Sequence, residues 1–152
     1  MATDYDEVIS TLNNLIETCK DGQNGFKTAA DGVKNSELKT LFGAYSQQRA
    51  QFAGELQNEV LRLGGDPEKT GSTAAAFHRG WIDIKSAVTG EDEHAVVAEC
   101  ERGEDSAVRN YEEALNGTLP ADVEAIVRRQ YTEIKQAHDR IRALEKASGA
   151  GA

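Results

Sequence analysis

The chain has 152 residues, and its 17 Lys and Arg against 26 Asp and Glu give a formal net charge of -9. That length suits one hydrophobic core rather than two, and the acidic balance argues against contact with bare nucleic acid or anionic lipid through a general field. No run of about 18 apolar residues occurs, so no transmembrane helix is expected.

Four apolar stripes at helical spacing organise the chain, two on either side of a glycine-rich break. Tyr5, Val8, Ile9, Leu12, Ile16, Cys19, Phe26 and Val33 form the first. Its helix is expected from Thr3 or Asp4 to about Asp31 or Val33, with Asp6 and Glu7 favouring its amino end. Gly22 and Gly25 fall inside it and cost about 1 kcal/mol each relative to alanine, which asks for a compensating reason such as close approach by a neighbouring helix. The second stripe, Leu38, Leu41, Phe42, Tyr45, Phe52, Leu56, Val60 and Leu63, predicts a helix from Ser36 to Leu63. Gly64, Gly65, Asp66 and Pro67 end it with a left-handed glycine cap and a proline.

Residues 66–90 are too many for an economical structureless loop. Phe77, Trp81, Ile84 and Val88 recur at spacings of four, three and four, which predicts a short amphipathic helix. Trp81, with Phe77, either covers an edge of the bundle or enters a subunit interface. A third long helix is expected from Glu91 to Asn116 and a fourth from Ala121 to about Lys146. From Glu91 to Gly117 there are nine acidic and two basic residues, whereas Leu119 to Ala147 holds five and six. Packing one against the other therefore reduces repulsion. No stripe is buried alone, so the economical architecture is an all-α four-helix bundle over residues 1–147, with 148–152 as a flexible tail. Cys19 and Cys100 lack CxxC spacing and no secretory segment opens the chain, so two buried thiols in a cytoplasmic protein are expected.

The stripes carry polar gaps near their middles. Gln23, Gln48, Arg49, Glu101, Glu104, Asp105, Gln130 and Glu133 fall there and meet at similar depth in an antiparallel bundle. A hydrogen-bonded network is the favoured reading, since Gln48, Gln130, Tyr45, Tyr131 and Arg49 supply complementary donors and acceptors. A metal site and a solvated margin are the alternatives. Arg49 opposite Glu101 or Glu104 makes a register-fixing bridge if buried, and snorkels along the surface if not. Glu99, Glu112 and Glu113 read as a helix's wet face. The one literal ExxH, Glu91 to His94, lies at a helix start. Glu133 and His138 are five apart, a poor same-face spacing, so His138 is expected beside the fourth stripe with one ring nitrogen bonded. There is no phosphate loop, nucleophile elbow or dinucleotide fingerprint.

The pieces YDEVISTLNNLIETCKDGQNGFKTAA, AAAFHRGWIDIK, ECERGEDSAVRNYEEAL and IVRRQYTEIKQAHDRIRAL occur in order, and through them the chain resembles the PA2169-type family of four-helix-bundle proteins, with a domain designated DUF2383. The resemblance implies a ferritin-like four-helix bundle with a long crossover containing a short helix. Di-iron members of that wider fold carry a glutamate on the first and third helices and an ExxH on the second and fourth. Against that pattern Glu17 matches weakly, Glu55 and Glu59 come without a histidine, Glu101 or Glu104 stands for the third helix, and Lys135 replaces the glutamate before His138. The leading expectation is a structural or protein-interaction protein, stress-related through ferritin-like relatives and self-associating, most simply as a dimer. The opposing one is a divergent iron or manganese binding or redox protein with Glu17, Glu55, Glu59, Glu101, Glu104 and His138 as candidate ligands. Whether the chain is an enzyme is left open.

Overall fold

The computed structural model describes residues 5–67 and 81–150, with side chains through residue 147. The described residues form four long helices and one short one: α1 (Asp6–Gly32), α2 (Ser36–Arg62), α3 (Ile84–Thr89), α4 (Glu93–Asn116) and α5 (Ala121–Ala150). Each long helix matches an apolar stripe, and its ends follow local chemistry. The Asn35 carboxamide oxygen accepts from the Glu37 and Leu38 amides and so caps α2. Gly64, at φ 86°, takes the left-handed position after α2. The Gly65 amide then reaches the Val60 carbonyl and the Gly64 amide that of Leu61, a Schellman ending. The α4 helix opens two residues later than its charge pattern suggests. Glu91 has a positive φ of 54°, and the Asp92 carboxylate caps the Ala95 amide. Of the Phe77, Trp81, Ile84 and Val88 series, α3 holds the last two, Trp81 sits in a single turn before it, and Phe77 lies outside the described residues.

A three-residue turn makes α1 and α2 antiparallel, and residues 117–120 do the same for α4 and α5. Val97 and Cys100 of early α4 pack with Phe26 of late α1, Phe42 of early α2 and Ile141 of late α5, so α4 begins at the end of the bundle where α2 begins, and runs parallel to α2 and antiparallel to α1. The order is up, down, down, up. Contacts join α1 with α2, α1 with α4, α4 with α5 and α2 with α5, leaving α2 and α4 on one diagonal.

Two apolar clusters fill the bundle. One gathers Leu12, Ile16, Leu56, Val60, Val108, Val127 and Ile134; the other gathers Phe26, Val33, Phe42, Val97, Cys100 and Ile141. Between them lies a level where Asp21, Ser46, Arg49, Glu104 and His138 are buried. That level holds the chemistry of the molecule.

Candidate functional site

Arg49 enters the bundle centre from α2 and meets Glu104 from α4 across the diagonal. The pair is bidentate, Nη1 to Oε1 at 2.5 Å and Nη2 to Oε2 at 2.6 Å, with side chains 1% and 0% exposed. Gly22 makes room for it, since a Cβ there would lie 3.2 Å from both Cγ and Nη1 of Arg49. The bridge expected with Glu101 or Glu104 thus forms with Glu104, and Arg49 does not snorkel. Its guanidinium also stands 5.3 Å from the Phe26 ring centroid, within cation–π range.

A hydrogen-bonded chain runs from the core to the surface beside this pair. Tyr111 donates its hydroxyl proton to Gln130 Oε1 at 2.7 Å, so the Cys19 thiol, 3.1 Å from the same oxygen, is the donor in that contact. Gln130 Nε2 donates to the Phe52 carbonyl and to Glu55 Oε1, and Arg129 closes the series on Glu55 Oε2 at 2.6 Å. Burial pushes the Cys19 thiol up to about 11 and likewise raises Cys100. Both cysteines are free and buried. A thiol-reactive reagent near neutral pH is therefore expected to label neither cysteine in the folded protein and both after denaturation. Rapid native labelling would contradict the buried, protonated state.

Trp81 is seated on the opposite side of this level. A Cβ at either Gly25 or Gly103 would lie 2.2 Å from its indole, so the ring rests directly on the backbones of α1 and α4. Phe26 meets it edge-on at 5.0 Å. These contacts supply the compensating reason that Gly22 and Gly25 required: one admits a buried arginine, the other a tryptophan. Glu99 is 3% exposed rather than wet, because the crossover passes over it. It accepts from the Asp83 amide at 2.7 Å and pairs with Arg102 at 3.3 Å.

On the α4–α5 edge, His138 is bonded at both ring nitrogens. Nε2 lies 2.5 Å from Asp105 and Nδ1 lies 3.0 Å from Asp139. Burial disfavours the charged ring, but the bonds to Asp139 and Asp105 hold its pKa above the ordinary histidine value. Of the sequence-derived ligands, the fold brings Glu101 to His138, together with Asp105. Glu104 is engaged by Arg49, Glu55 by Arg129 and Gln130, and Glu59 by Arg62 at 2.6 Å. Glu17 is half-buried on α1 and outside the converging group. The bundle centre does not fit a pair of metal ions, since a guanidinium already occupies its buried carboxylate. In the ExxH, Glu91 precedes the helix and His94 faces Glu145 at 3.9 Å.

In the sequence Asp105 is visible only as a polar gap, and Asp139 carries no signal of its own. Cys19 is legible in the sequence only as part of the first apolar stripe. The α4–α5 register sets Tyr111 against Gln130, Asp105 against His138 and Tyr131 against Glu112.

A family model described as a domain of unknown function, DUF2383, matches residues 7–117. The match takes in α1, α2, α3 and α4, hence Arg49, Trp81 and Glu104, and stops before α5. No curated protein matches the chain. With well over half of its residues matched, the chain belongs to the DUF2383 family.

Proposed function

We propose that this protein is a structural or protein-interaction module, cytoplasmic and stress-related, built on a ferritin-like bundle and working as a two-fold dimer. The observation that carries this reading is the Arg49–Glu104 pair. It turns the level where a ferritin-like bundle would hold metal into a packing and register device. A rigid, internally closed bundle acts on other molecules through its surface, and Ile82, 70% exposed beside the seated Trp81, is the most exposed large apolar side chain described.

Sedimentation at several protein concentrations is expected to show a dimer in equilibrium with monomer. Ile82→Glu is expected to weaken that association while leaving the fold intact. Trp81→Ala should act on folding first, because its ring is held by Gly25, Gly103 and Phe26 of the same chain. A strict monomer at every concentration would reject the dimer.

A further inference from the structure

Glu101 and Asp105 stand one turn apart on α4, and the antiparallel register sets His138 of α5 against them. One ligand atom from each lies within 4.8 Å of the other two. The His138 side chain is 8% exposed, Glu101 is half-buried, and the Asp105 side chain is 46% exposed. Among the described residues the Glu101 carboxylate accepts no hydrogen bond.

We infer that Glu101, Asp105 and His138 form a mononuclear site for a divalent transition-metal ion on the α4–α5 edge, with Asp139 orienting the imidazole. One ring nitrogen and two carboxylate oxygens suit zinc, ferrous iron or manganese, whereas magnesium and calcium favour all-oxygen sets. Metal–ligand bonds of about 2.0–2.2 Å place tetrahedral donors roughly 3.3–3.5 Å apart. The Asp105–His138 contact therefore opens slightly, and Glu101 closes to complete the set. Asp139 on Nδ1 supplies the carboxylate–histidine–metal arrangement that fixes which nitrogen faces the ion. The exposed side of Asp105 leaves the remaining positions to water. Glu104, between the two α4 ligands in sequence, points inward to Arg49, so this edge is separate from the bundle centre. The inference does not depend on the interaction role.

Calorimetric titration of metal-stripped protein with Zn²⁺, with Mg²⁺ as contrast, tests it. The expected result is saturable binding of a single Zn²⁺ per chain and none of Mg²⁺. His138→Gln and Asp105→Asn should each abolish binding. Asp139→Asn should weaken it about 10–100-fold at unchanged stoichiometry. In nitrogen-15 NMR of the parent, His138 Nε2 should shift on adding Zn²⁺ while Nδ1 keeps its proton. Absence of Zn²⁺ binding, equal binding by folded His138→Gln, or equal saturation by Mg²⁺ would overturn the site. Should His138→Gln not fold, Asp105→Asn decides, since its side chain is nearly half exposed. Sedimentation of the metal-stripped protein reads the dimer separately, so the two ideas fail independently.

Discussion

Replacing Glu104 with alanine is expected to destabilise the protein by about 3–5 kcal/mol, read by chemical denaturation. The loss comes less from the attraction given up than from what is left behind. Arg49 is 1% exposed, and without Glu104 its two terminal nitrogens lose their bidentate acceptor while Nε keeps only Gln48 at 3.2 Å. An uncompensated guanidinium in the bundle centre must either draw in water or pull α2 out of place. The double replacement Arg49→Met with Glu104→Leu separates these effects. It removes both desolvation costs and is expected to be neutral or stabilising by about 1–4 kcal/mol. A loss below about 1 kcal/mol for Glu104→Ala would place the pair in water rather than in the core. If the double replacement is neutral or stabilising, the pair contributes specificity: it accepts only the register in which α2 and α4, on one diagonal, bring these two positions to the same depth.

Phe26→Ala is expected to cost about 3–5 kcal/mol and to shift the fluorescence of the chain's single tryptophan to the red. Phe26 is fully buried and joins more neighbours than any other ring described. It stacks on Phe42 at 6.0 Å, tilts against Tyr45 at 5.3 Å and receives the edge contact of Trp81. Arg49 also sits over its face. Removing the ring therefore opens a cavity bounded by α1, α2 and the crossover, and frees the indole on one side. The fluorescence readout is specific, because a general loosening of the other apolar cluster would leave Trp81 seated on its glycines. An unshifted spectrum in the folded variant would show that Gly25 and Gly103 alone hold the indole.

The helices are legible from local pattern alone. Residues recurring every three or four positions, broken at Gly64, Gly65 and Pro67, predict four long helices, and stripes that cannot be buried alone require a bundle. The sequence also marks a polar middle and offers Arg49 with Glu104 as one of two bridges. Which groups meet there depends on how the helices pack. Periodicity states which face of a helix is apolar, but not how far one helix slides along its neighbour, and a shift of one turn moves a partner by about 5.4 Å. That distance separates a bond from no contact. Glu101, Glu104 and Asp105 are near-equivalent in composition, yet the register sends Glu104 inward to Arg49 and sets the other two against His138. Glu99 reads as a wet face because no local pattern records that the crossover will lie over it. The same crossover explains Gly25 and Gly103, whose missing side chains register as a cost along the helix and become intelligible only where the Trp81 ring arrives from a distant part of the chain.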